Sequence, residues 1–99
     1  MIVVTGVIEI DAEHVWPATT AAAKMIKASR AEEGCIEYCF YVDITETRRF
    51  RVYEEWESEE ALQAHFATPH MAEFREALKS FRILDRKIMK YEVNSVQGL

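Results

Sequence analysis

Residues 35–57, CIEYCFYVDITETRRFRVYEEWE, read as two strands folded back on a polar turn, and this hairpin decides the fold. β-Branched and aromatic side chains dominate 35–44 and 49–57, while Asp43–Arg48 supplies the turn. At a period of two, Ile36, Tyr38, Phe40 and Val42 share one face, and Cys35, Glu37, Cys39 and Tyr41 the other. In the second strand Phe50, Val52, Glu54 and Trp56 oppose Arg51, Tyr53 and Glu55. The first set of each pair suits a cover of helices. The second is too aromatic for a wholly solvated face yet carries charges, which predicts a subunit interface and a homodimer.

On the N-terminal side, Val15, Thr19, Ala22 and Ile26 recur at helical spacing, with Pro17 tolerated only in the opening turn. The spacing predicts a helix that starts near Glu13 to Trp16 and ends before Gly34, a left-handed stop. Residues 2–10 are a first strand, bounded by Asp11. On the C-terminal side, Ser58 is an N-cap for a second helix that Pro69 breaks. Met71, Phe74, Leu78 and Phe81 mark a third helical pattern, residues 84–93 a last strand, and VNSVQGL a tail. The order β-α-β-β-α-β is that of an α+β, ferredoxin-like split βαβ fold, with helices on one face of an antiparallel sheet. Residues 1–99 are expected to form a single domain, since no linker or low-complexity segment interrupts them.

Composition narrows the function. A net charge of −5 and a pI near 5.2 argue against nucleic acid or an anionic membrane surface as partner. MIVVTGVIEID has neither the basic start of a signal peptide nor the length of a membrane span. Cys35 and Cys39, on one strand face, would lie roughly 13 Å apart, too far for a disulfide. No Cys/His spacing suggests zinc or haem, so no metal is expected, and a reduced, cytoplasmic location fits.

Several side chains stand out against this background. Leu62, His65, Phe66 and Pro69 are spaced so that His65 turns inward with an apolar set. It is either a hydrogen-bonded core histidine or a general base. Glu54 shares the inward strand face, where a carboxylate needs a partner or a raised pKa. It either ties the hairpin to the helices or orients His65. Tyr38 and Trp56 are core residues or walls for an aromatic ligand. His70, at the start of the third helix, is an exposed residue or a contact at a cavity mouth. Arg75, beside Phe74 on that helix, is a surface ion pair or a holder of an anionic oxygen.

Glu32-Glu33-Gly34-Cys35, Tyr38, Glu54-Glu55-Trp56-Glu57-Ser58, Ala64-His65 and Thr68-Pro69-His70-Met71 together resemble the antibiotic biosynthesis monooxygenase (ABM) superfamily, most of all its bacterial quinol monooxygenases. The resemblance covers nearly the whole chain. It implies a dimeric α+β barrel with a cavity between each sheet and its helices. It also implies oxidation of quinol-like or polyphenolic substrates by O2 without flavin, metal or haem. In that setting His65 and Glu54 would be catalytic, and Tyr38, Trp56, His70, Phe74 and Arg75 would hold the small aromatic substrate. The haem-degrading branch uses an Asn, a Trp and a His where this chain has Gly6 or Val7, His65 and Arg75, and so fits poorly. Another relative isomerises a phosphorylated signalling sugar and shares the Thr-Pro-His passage. An isomerase of a small phosphorylated carbonyl compound, with Arg75 and Arg82 as phosphate contacts, is therefore one alternative. A non-catalytic dimeric ligand-binding module is another.

Overall fold

β-Branched residues at alternate positions make Ile2–Ile10 an inner strand, β1, with Ile2, Val4, Ile8 and Ile10 buried on one side. The computed structural model describes residues 1–99. A 3-10 turn (Ala12–His14) leads from β1 into α1 (Val15–Arg30), and β2 (Cys35–Asp43) and β3 (Glu46–Trp56) follow. The chain continues through α2 (Glu59–Phe66), α3 (Pro69–Leu78) and β4 (Ile83–Glu92). All neighbouring strands are antiparallel in the order β2-β3-β1-β4. Met25 of α1, Leu62 of α2, and Met71 and Phe74 of α3 pack on Ile2, Val4, Tyr38, Val52 and Trp56. The helices therefore cover one sheet face, and the architecture is the ferredoxin-like α+β arrangement.

Caps place the helices. Ser58 Oγ accepts from the Ala61 amide at 3.1 Å and starts α2. Thr68 Oγ1 accepts from the Met71 amide at 3.2 Å, and Pro69 opens α3 as well as ending the helix before it. Gly34 has φ +85, as a left-handed stop requires, and a Cβ there would meet Ala61 Cβ at 2.6 Å. The chain can thus turn from α1 into β2 only while pressed against α2.

Three expectations need correction. The hairpin turn is tighter than Asp43–Arg48: Asp43 Oδ1 accepts from the Thr45 amide at 2.8 Å and its hydroxyl at 2.6 Å, so β3 already begins at Glu46. A bulge between Cys35 and Glu37 sets Cys35 opposite Trp56, which turns Cys35 into the core and leaves Ile36 51% exposed. Cys35 and Cys39 therefore do not share a face. In α1 the fully buried stripe is Ala18, Ala22, Met25 and Ser29. Of the expected positions Ala22 is buried, Val15 and Ile26 pack half-buried against the core, and Thr19 alone is misplaced. Thr19 faces out, its hydroxyl bonded to the Val15 carbonyl at 2.9 Å.

The other sheet face has no helix over it. Tyr41, Met89 and Tyr91 are each about half exposed there, around an open concavity of about 690 Å³ that Arg51 and Lys87 also line. No helix is long and apolar enough to cross a membrane.

Candidate functional site

Helices α2 and α3 do not close fully on the sheet. Between them and all four strands lies a cavity of about 590 Å³. Tyr38, Phe40, Phe66 and Phe74 give it aromatic walls, and Val52, Met71, Ile83 and Ile88 make most of the rest apolar. Glu54 is the single carboxyl in the lining; the cations are Arg75, Lys79 and Arg86.

Period-two alternation in β3 puts Glu54 on the inner face between Val52 and Trp56, and all three are buried. Desolvation by burial pushes its carboxyl up from 4.5 to about 7, with the charge of Glu32 adding to the rise. The Trp56 indole N–H donates to Glu54 Oε1 at 2.9 Å and works in the opposite direction. A carboxyl so balanced, at the wall of an apolar cavity, can take a proton from a ligand and return it near neutral pH.

A second polar group lies behind Trp56. Its indole packs on the His65 imidazole with centroids 4.7 Å apart, and Tyr38 packs on the same ring at 5.5 Å. His65 is 1% exposed. Its Nδ1 lies 2.6 Å from Glu32 Oε2, and His70 Nε2 lies 2.7 Å from the same oxygen. An ionised carboxylate only accepts, so both ring nitrogens donate their protons to Glu32. Burial holds the His65 pKa below 6.5, although Glu32 pulls the other way. Glu32 sits in the turn between α1 and β2, His65 near the end of α2 and His70 at the start of α3. One carboxylate thus fastens three segments of the chain.

Of the residues expected to form a site, Tyr38, Glu54, Phe74 and Arg75 line the cavity. Trp56, His65 and His70 are not among its lining residues. The carboxylate on His65 is Glu32; Glu54 is engaged by Trp56 instead. Arg75 Nη2 donates to the Phe66 carbonyl at 3.1 Å, and Arg82 lies 3.9 Å from Asp11 and does not line the cavity. Sequence reasoning missed Glu32, Lys79 and Arg86 as site residues. Only Arg86 left a local signal, since it shares strand parity with the apolar Ile88.

Glu32, His65 and His70 also offer three donor atoms within 4.8 Å of one another, a grouping that the separate stretches of sequence do not disclose. Imidazole and carboxylate donors suit a divalent ion such as zinc. At 2.6 and 2.7 Å, however, the contacts have the geometry of charge-assisted hydrogen bonds, and they satisfy all three groups without an ion.

A ferredoxin-like sheet, a half-cover of helices and a largely apolar cavity carrying one buried acid define the class of the domain as α+β, with a cavity of the kind in which small-molecule sites are found. The chain belongs to the antibiotic biosynthesis monooxygenase family, whose model matches residues 1–77. It is 35% identical over 98 residues to the uncharacterised protein sll1783 of Synechocystis sp., covering 99% of this chain and 67% of that one. It is 37% identical over 65 residues to the probable quinol monooxygenase YgiN of Escherichia coli, covering 58% of this chain and 62% of that one. Among solved structures, a candidate antibiotic biosynthesis monooxygenase from Deinococcus radiodurans superposes with a TM-score of 0.93 at 27% identity. That match covers 100% of this chain and 98% of the other.

Proposed function

We propose that this chain is an oxygenase that oxidises an electron-rich phenol or hydroquinone to a quinone with O2, with Glu54 as proton acceptor. The observation that carries the reading is the Glu54 carboxyl, raised to about 7 on the wall of a cavity framed by Tyr38, Phe40 and Phe74. Triplet O2 reacts slowly with closed-shell molecules, and most enzymes recruit a cofactor for the purpose. A phenolate needs less help. Once Glu54 has taken the hydroxyl proton, the ring can pass one electron to O2. For a phenol with a free ring C–H, recombination forms a C–O bond, and loss of water leaves a quinone that keeps one oxygen atom. A hydroquinone reaches its quinone by a second electron transfer, with H2O2 as the other product. The walls hold the ring in edge-to-face or offset contact and exclude water from the anion.

O2 uptake in the presence of a phenol and hydroquinone panel tests this. The expected result is one O2 consumed per quinone formed, and for the phenols one atom of ¹⁸O from ¹⁸O2 in the product. Thermal stabilisation by panel members without O2 uptake would overturn the oxygenase reading in favour of a binding module.

The uncovered sheet face supports a homodimer. Tyr41, Met89 and Tyr91 form an aromatic and apolar surface with charges around it, the composition of an interface. Light scattering should give twice the 11.5 kDa chain mass at micromolar concentration. Val7→Arg, on this face of the inner strand β1, should yield the monomer; a wild-type monomer would contradict the assembly.

A further inference from the structure

We infer that the cavity takes an aromatic substrate bearing an anionic oxygen group, a carboxylate or phosphate, which Arg75 and Arg86 hold with Lys79 beside them. The inference rests on the reading of this cavity as the substrate site and adds the class of substrate.

The chain as a whole is acidic, at −5, yet the charged lining of this cavity is Arg75, Lys79 and Arg86 against Glu54 alone. Strand register explains how Arg86 arrives there. Arg86 pairs with Ile8, Ile88 with Gly6 and Lys90 with Val4, so all three side chains of β4 stand on the helix-covered face. Each has a different fate. Ile88 packs into the core. Lys90 is paired with Glu59 of α2. Arg86 has no carboxylate within ion-pair distance, and its side chain makes no hydrogen bond to the protein. Arg75 uses one nitrogen on the Phe66 carbonyl and likewise lacks a carboxylate. Lys79 has only Glu76, one helical turn away and largely solvated. Two guanidinium groups and an ammonium around one apolar cavity repel one another, and a shared oxyanion would relieve that repulsion. The guanidinium fork also matches carboxylate and phosphate oxygens in pairs.

The register sets the length of the substrate too. Glu54 on β3 pairs with Val4, and Arg86 on β4 pairs with Ile8, on either side of β1. Two strand spacings across and four residues along separate their backbones by about 16 Å. The ionising hydroxyl and the anionic group therefore belong at opposite ends of the substrate, which favours a fused ring over a single one.

Binding measured without O2 keeps this separate from turnover. Isothermal titration under argon would compare 2-naphthol, 6-hydroxy-2-naphthoate and 6-hydroxy-2-naphthyl phosphate on wild type, Arg86→Gln and Arg75→Gln/Arg86→Gln. The expected result is affinity about tenfold or more higher for an anionic ligand than for 2-naphthol. That preference should fall in Arg86→Gln and vanish in the double variant, with 2-naphthol affinity unchanged. The two anionic ligands rank carboxylate against phosphate. Equal affinity for neutral and anionic ligands in wild type, a preference that survives in the double variant, or no binding of any ligand would overturn the proposal. Tight, arginine-dependent binding without O2 uptake would instead sustain the anion site and defeat the oxygenase reading. Both arginines are exposed, so the variants should keep the wild-type thermal midpoint.

Discussion

Glu54→Gln should lower turnover of a phenolic substrate by about 10²–10⁴-fold, the usual worth of a general base, and should raise stability at pH 8. The two effects have one cause. Burial raises the folded-state pKa of Glu54 from 4.5 to about 7, so the folded protein binds this proton more tightly than the unfolded chain does. Below pH 4.5 both states hold the proton and the site carries no penalty. As pH climbs from there through 7 the unfolded chain ionises first, and folding loses about 3 kcal/mol, at 1.36 kcal/mol per tenfold change in acidity. Glutamine never ionises, and its carbonyl oxygen can still accept from the Trp56 indole. The variant should therefore be more stable than wild type above pH 7 and nearly equal to it at pH 4, as denaturant melts at both values would show. Its counterpart in kinetics is a wild-type kcat/KM that rises with pH to a plateau above 7, a limb absent from the variant. A variant that loses stability at pH 8 while keeping its rate would make Glu54 a structural anchor only.

Much of this was legible in the sequence, and the exceptions have identifiable causes. The hairpin, the N-cap at Ser58, the break at Pro69 and the stop at Gly34 follow from local chemistry, so the element order follows as well. The inward positions of Glu54 and His65 are consequences of a period of two and a period of 3.6. The bulge that turns Ile36 outward leaves no local mark, because the extra residue is tolerated by a strand rich in good strand formers on either side. The partner of His65 was illegible for a different reason. Glu32 and Glu54 both precede it, both belong to acidic clusters, and only the packing of α2 against the α1–β2 turn decides between them. Arg86 was within reach: two residues from Ile88 on a strand it must share its face, and a cation on a covered face is a signal in itself. What parity does not disclose is whether such a cation finds a partner, as Lys90 does and Arg86 does not.

The same packing decides what His65 contributes. Its imidazole is 1% exposed, lies between Trp56 and Tyr38 and donates to a carboxylate that also holds His70. His65→Ala removes a fully packed ring and takes away one of the two donors to Glu32. Buried hydrogen-bond loss and a cavity together amount to about 3 kcal/mol. In a chain of this size that corresponds to a fall in Tm of about 10–20 °C. Glu32→Ala should cost a similar amount, since it leaves the Nδ1–H of His65 unpaired. The double variant should cost much less than the sum, because both single changes break the same contact. Acid adds an independent sign. Burial depresses the His65 pKa in the folded state, so its contribution is fully present above 6.5 and is lost as pH falls through the folded value. Wild type should therefore lose stability as pH falls below 6.5 more steeply than His65→Ala does. The expected rate per folded molecule is changed by less than the 10²-fold that separates a general base from a supporting residue. If His65→Ala instead kept its Tm and lost its turnover, with an acid limb vanishing from the pH profile, then the imidazole would be the base and Glu32, through Nδ1, the group that sets its tautomer.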